Sequence, residues 1–237
     1  MPEITQTDFT PGKITKENLL DYYKIPETDL ERLFPELEKQ AQSFGLDVVL
    51  ADLSQLTKVN DPKALDIKHD TCQSDGKTVY LHNDLKKAGG MPSRIYDLIH
   101  VGLGHGTQWS ANKNSKLQFA GDKSWKIATK AYVGAGEENL KTVYEYEKEA
   151  GRLGLEHLKK VLAKSNRITS AGQIIQMYND YLIRDLSYIM QYYRSGKIVD
   201  FFENFEPNQP LLEDINVPEK LQPKTRANPA IPLIRLS

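Results

Sequence analysis

The sequence predicts a mainly α-helical bundle, and three observations carry that reading. Two long segments, roughly 138–163 and 170–195, repeat apolar residues at helical spacing. In the second, Ile174, Met177, Tyr178, Tyr181, Leu182 and Leu186 belong to a set covering most of the circumference, as in a helix central to a bundle. Only 47–53 (DVVLADL) and 77–82 (KTVYLH) are β-branched, short and bounded by turn residues. They predict a small two-stranded element, either a hairpin or an edge sheet.

The remaining elements follow in chain order. Residues 1–14 read as a flexible arm, and 15–214 as a single helical domain. Thr15 is placed to cap a short helix, KENLLDYY, that ends before Pro26. Thr28 and Glu31 form the pattern of a capping box ahead of DLERLF. Pro35 predicts a break or a new helix start, and Gly45 closes PELEKQAQSFG. Ser93, after Pro92, is a candidate cap for RIYDLIHVGLG, with Gly102, Gly104 and Gly106 expected to loosen or turn its end. Cys72 falls in an expected loop, and 107–136 reads as a lid insertion or a stretch with its own short helix. Pro218, Pro223, Pro229 and Pro232 make 215–237 an extended C-terminal tail.

Composition narrows the function. A chain of 237 residues buries a sizeable core, and 39% hydrophobic with 27% charged residues is ordinary for a globular protein. A net charge of −1 gives no basis for non-specific nucleic-acid binding, which needs clustered excess Lys and Arg. Cys72 stands alone, so no intramolecular disulfide forms and a reducing, cytoplasmic setting is expected. The N-terminus, MPEITQTDFTPGK, lacks the apolar stretch of a signal peptide. No segment approaches the ~20 apolar residues of a membrane span. Peripheral membrane contact and a homodimer both stay open.

The chemistry-bearing stretch is RIYDLIHVGLGHGTQW. Tyr96 and His100 are four residues apart and Asp97 and His100 three, so all three share one helical face. Imidazole is the commonest protein metal ligand, and a nearby carboxylate ligates or orients it. Tyr96 and Asp97 are the candidate catalytic side chains beside it. His105 lies five residues on, which an unbroken α-helix places about 140° away, off that face. The glycines on either side are the means by which the chain is redirected, if it is. The alternative is a core or surface histidine with no metal.

The acidic partner is expected from VYEYEKEAGRLGLEHL. Glu145 and Glu149 are the candidate metal-ligating carboxylates, with Glu149 bordering Tyr146, Ala150 and Leu153. The bland reading of such a run is a solvated face. Gly151 and Gly154, each costing a helix about 1 kcal/mol, argue for close approach of another backbone or a ligand. GLGHG is no phosphate loop, because the GxGxxG order and the preceding strand are missing.

Tyr96-Asp97-Leu98-Ile99-His100-Val101 with Gly104 and Gly106, then EKEAGRLGLEHL, then Tyr193-Arg194-Ser195-Gly196-Lys197 resemble in pieces the coenzyme Q (ubiquinone) biosynthesis family. That family carries an HDxxH motif and a downstream glutamate. Tyr96 stands where its first histidine belongs, and Glu149 would take the glutamate's place only across an insertion of nearly forty residues. His105 is the candidate replacement for the lost ligand. The resemblance implies an α-helical protein holding Zn²⁺ or Fe²⁺ and acting on, or scaffolding, an aromatic or prenylated small molecule. The order strand, His-bearing helix, acidic helix also resembles zincin-like metallopeptidases of the ImmA/IrrE type. Their HExxH glutamate would fall on Gly102 or Val101, so that resemblance implies a degenerate relative. A non-catalytic binding protein and a non-haem iron oxygenase are the other readings, the last because two histidines and a carboxylate form a facial triad.

Overall fold

The computed structural model describes residues 13–53, 72–74, 78–111, 137–195 and 199–212. Thr15 and Asn18 open it with reciprocal capping bonds: Thr15 N donates to Asn18 Oδ1 (2.7 Å) and Asn18 N to Thr15 Oγ1 (3.4 Å). Helix α1 (Leu19–Tyr23) follows and stops at Lys24, whose φ of 54° is left-handed.

Helix α2 (Glu27–Gln42) starts ahead of the expected Thr28–Glu31 box, with Pro26 as its N-cap, and runs straight through Pro35. The expected break is absent because Pro35 is exposed. The carbonyl deprived of its partner there faces water, while Leu30, Leu33, Leu37 and Ala41 bury the opposite stripe. Gly45, at φ +77°, ends the helix as the sequence implies.

The β element is larger than expected. Strands β1 (Asp47–Ala51) and β3 (Thr78–His82) pair in parallel, in register Asp47 to Thr78, and β2 (Cys72–Ser74) adds antiparallel to the other side of β3. A hairpin is thereby replaced by a three-stranded mixed sheet, and Cys72 lies in a strand. The two matched stretches are far enough apart in sequence for the crossover that parallel pairing needs.

From Gly90, helix α3 (Met91–Asp97) passes without interruption into a π-helical segment (Leu98–His105) and then α4 (Gly106–Ala111). The three glycines therefore continue the helix, where the sequence suggested its end. The long helices α5 (Glu137–Lys164) and α6 (Ala171–Ser195) lie close to the expected ranges. The π segment packs mainly on α5, with α2 on another side, and α5 packs on α6. Leu98, Ile99, Leu103, Leu155, Leu158, Tyr178 and Leu182 form the centre of the shared core. Residues 1–12 of the expected arm, most of the lid range (112–136) and the tail lie outside the described residues, as do 196 and 197 of the Tyr193–Lys197 step. Among the described residues no helix is long and apolar enough to cross a membrane.

Two polar devices hold α6 in place. Asp29 of α2 accepts four bonds on Oδ2, from Thr169 N (2.9 Å) and Oγ1 (3.0 Å) and Ser170 N (3.0 Å) and Oγ (2.9 Å), capping the start of α6. Burial alone would raise that carboxyl; the Ser170 and Thr169 bonds outweigh it and hold it below the usual range. Further along, Asp180 accepts from Asn208 N (2.7 Å), Gln209 N (2.9 Å) and Tyr23 Oη (2.6 Å), and Asn179 Oδ1 accepts from Leu212 N (2.7 Å). The returning strap 199–212 is gripped by its backbone.

The approach of α5 to the π segment depends on missing side chains. A Cβ on Gly104 would collide with the Ala150 carbonyl oxygen, and one on Gly154 would lie 2.9 Å from the Ile99 carbonyl oxygen. Gly104→Ala is expected to cost about 2–3 kcal/mol in urea unfolding, because backbone rather than a flexible side chain must move. Gly172→Ala, in open space near the start of α6, is expected to be neutral or slightly stabilising. Equal effects of the two substitutions would contradict this packing.

Candidate metal centre

An α-helix separates residues five apart, but a π-helix bonds i to i+5 and stacks them on one side. Leu98–His105 is wound in this way, so His100 and His105 share a face that α-helical geometry denies them. Their rings meet edge to face, with centroids 5.0 Å apart. Both are buried.

Glu147 of α5 enters between them. Its Oε2 lies 3.0 Å from His100 Nε2 and 3.1 Å from His105 Nε2. One ligand atom from each of the three residues falls within 4.8 Å of the others, and this buried group can hold a metal ion. Ligands bound at about 2.0–2.2 Å with tetrahedral to octahedral angles lie about 2.8–3.6 Å apart, so the two nitrogen-to-oxygen distances suit a shared cation.

A test of that fit comes from the far side of His105. Gln108 Nε2 donates to the Tyr146 carbonyl oxygen (3.1 Å), which orients the amide so that Oε1 meets His105 Nδ1 at 2.8 Å. An amide oxygen only accepts, so Nδ1 carries the ring proton. A neutral His105 then directs its Nε2 lone pair at the Glu147 carboxylate, and the contact is repulsive unless positive charge lies there. A second imidazole proton or a metal cation meets that requirement; a proton on Glu147 is disfavoured, since its carboxyl is held below the usual range. A ligating histidine whose other nitrogen donates to an oriented oxygen is the usual outer-shell arrangement of metal sites.

His100 is held differently. Its ring is stacked on Tyr96, 5.5 Å between centroids and 7° from parallel, while Nδ1 is buried without a hydrogen-bond partner among the described residues. Tyr96 Oη donates to Asp185 Oδ2 of α6 at 2.7 Å. Burial, followed by the charge of Asp185, pushes the Tyr96 phenol well above its ordinary value. Burial also raises the Asp185 carboxyl, against the opposing pull of His100 and the Tyr96 bond. On the other imidazole, Tyr146 stacks at 4.8 Å from His105.

The structure thus brings together His100 and His105, with Tyr96 against them, but the carboxylate is neither Glu149 nor Glu145. Glu149 is half-exposed and bound by Arg152 through two bonds of 2.9 Å, and Arg152 also pairs with Glu156. Glu145 is two residues from Glu147, hence on another face of α5, and burial raises its carboxyl. Asp97 is half-buried and outside the converging group; its charge is felt by Tyr181 and Tyr96. Glu147 did carry a sequence signal. It stands four residues before Gly151 and seven before Gly154, on the stripe that small residues mark for close packing. His157 receives or donates a bond at Thr107 Oγ1 (3.0 Å) and packs on Phe44, a structural placement.

Burial would raise the Glu147 carboxyl, yet the charge of His105 and the bonds from both imidazoles outweigh it and hold it far below the carboxylate range. A depressed folded-state value adds stability above the unfolded value, about 4.3, and loses it as pH falls through the folded value. The metal-free protein should therefore lose urea stability below about pH 5 more steeply than Glu147→Gln does. Parallel curves for the two would remove the pairing. No family model, no characterised protein and no solved structure matches this chain.

Proposed function

We propose that this protein is a metal-dependent enzyme working through a mononuclear centre of His100, His105 and Glu147. The observation that carries the reading is the convergence of His100 Nε2 and His105 Nε2 on Glu147 Oε2, with Gln108 holding a proton on His105 Nδ1 so that Nε2 is the nitrogen turned to the carboxylate. Three protein ligands, two imidazoles and one carboxylate, suit Zn²⁺ or Fe²⁺ and leave positions open for water and substrate, unlike a closed structural site. Such an ion would supply Lewis-acid polarisation of a substrate oxygen or activation of water. The chain's own part is to orient the imidazoles, through Gln108 on one and Tyr96 on the other, and to bury the charges.

The substrate class we assign is an aromatic or prenylated small molecule. It is supported by the resemblance to the coenzyme Q family and by the aromatic character of the surroundings, where Tyr96 and Tyr146 pack on the two imidazoles. In that comparison Tyr96 stacks on the ligand where the family has its first histidine, and His105 supplies the second imidazole. The sheet preceding the His-bearing helix is the one feature favouring a zincin-like reading. Histidines five apart on a π-helix, with Val101 after His100, provide none of the peptidase motif's general base.

Elemental analysis of protein purified with and without air tests the proposal. The expected result is close to one Zn or Fe per wild-type chain, lost in His105→Ala and Glu147→Ala and retained in Glu149→Ala. Full retention in the first two variants, in protein that still unfolds cooperatively, would sink the reading. Oxygen uptake that depends on ferrous ion separates iron from zinc chemistry.

A further inference from the structure

The residue left over by this account is Tyr96. It is buried in the core, its ring lies parallel to that of a metal ligand, and its hydroxyl is spent on a carboxylate. Holding one imidazole in place needs only an apolar ring such as Phe. A phenol donating at 2.7 Å to the Asp185 carboxylate adds a proton donor paired with an acceptor already in place. The pair is also continued outward. Tyr96 packs on Tyr181 (4.6 Å), Tyr181 on Phe201 (4.6 Å), and Phe201 on half-buried Tyr188 (5.8 Å). A file of aromatic rings thus leads from the metal ligand toward the surface, and Tyr181 Oη has its own hydroxyl partner in Ser93 Oγ (2.8 Å).

We propose that Tyr96 is a redox-active tyrosine, giving one electron to the centre and its phenolic proton to Asp185. The inference rests on the metal reading above and requires a redox-capable ion, with a peroxide as oxidant. The peroxide O–O bond breaks and two hydroxides form. One electron comes from a ferrous ion, which ends ferric, and one from Tyr96. The phenolic O–H bond breaks, the proton passes along the existing hydrogen bond, and Asp185 ends neutral beside a neutral tyrosyl radical. Moving proton and electron together matters here, because the Tyr96 hydroxyl is buried and already bonded to a carboxylate, so no charged ring is left in the core. Tyr181 is the next ring to which the oxidising equivalent passes.

The experiment loads the full chain with ferrous ion under anaerobic conditions, adds one equivalent of hydrogen peroxide, and freezes the sample for electron paramagnetic resonance. Metal content is measured on every sample. A tyrosyl radical is expected in wild type, lost in Tyr96→Phe and weakened in Asp185→Asn while iron stays bound. Should Tyr96→Phe fail to fold or to hold iron, Tyr146→Phe, Tyr178→Phe and Tyr181→Phe exclude the other tyrosines packed on Tyr96 or the histidines, since all three should keep the radical, and loss in any of them overturns the assignment. Iron bound without any radical overturns this proposal and leaves the metal centre standing. A radical kept in Tyr96→Phe, or lost in Tyr146→Phe, also overturns it. Failure of wild type to bind any iron, zinc or manganese removes both readings together.

Discussion

Five-residue winding between Leu98 and His105 is the constraint on which the centre depends. Wound as an α-helix, the same sequence would put His105 on another face of its helix, and Glu147 would meet one imidazole instead of two. π-Helical turns are rare and tend to occur at functional sites. Here the segment is clamped on several sides. Gly104 lies against the Ala150 carbonyl, Gly102 faces Leu98 and Ala41, and Gly106 faces Leu46. The glycines that weaken the helix by propensity are the ones that allow neighbouring elements near enough to hold its unusual turn.

Burial then sets the electrostatics. Glu147 sits among groups that would leave it protonated if it were alone, and remains an anion because two imidazoles face it. Asp185 accepts from the neutral Tyr96 phenol instead, and burial moves its carboxyl the other way. Two carboxylates beside one imidazole thus differ in character through their partners, the pattern by which proteins divide ligand and proton-handling roles. The orientation of Gln108, fixed by a backbone carbonyl, is what makes the His105 tautomer readable at all.

Much of the fold was legible. Apolar periodicity located α5 and α6 closely, and β-branched runs located β1 and β3. Parallel pairing was not, since local composition carries no information about crossover. Pro35 misled because a proline's cost depends on whether its orphaned carbonyl meets water, which only the tertiary arrangement decides. At the site, His100 and His105 were visible as a glycine-flanked pair, but the turn that unites them was not, because helical spacing assumes i to i+4 bonding. Glu149 looked the better ligand from its apolar neighbours. Arg152, three residues on, claims it, while Glu147 reaches both imidazoles.

The grip of Asn179 and Asp180 on the returning strap has a consequence for the centre. These residues precede Tyr181 by one or two positions and Asp185 by five or six, within two turns of α6, and their bonds are to main-chain atoms at Asn208, Gln209 and Leu212. Arg184 adds donations to the Asp200 and Phe201 carbonyl oxygens. These bonds engage peptide groups, so they do not depend on the side chains at Asn208 and Gln209, while Phe201, Phe202 and Phe205 add ring packing on Tyr181. Rotation of α6 about its axis would tear several of these bonds at once. The azimuth of the helix, and with it the carboxylate that receives the Tyr96 hydroxyl, is therefore set by a segment that never touches the histidines.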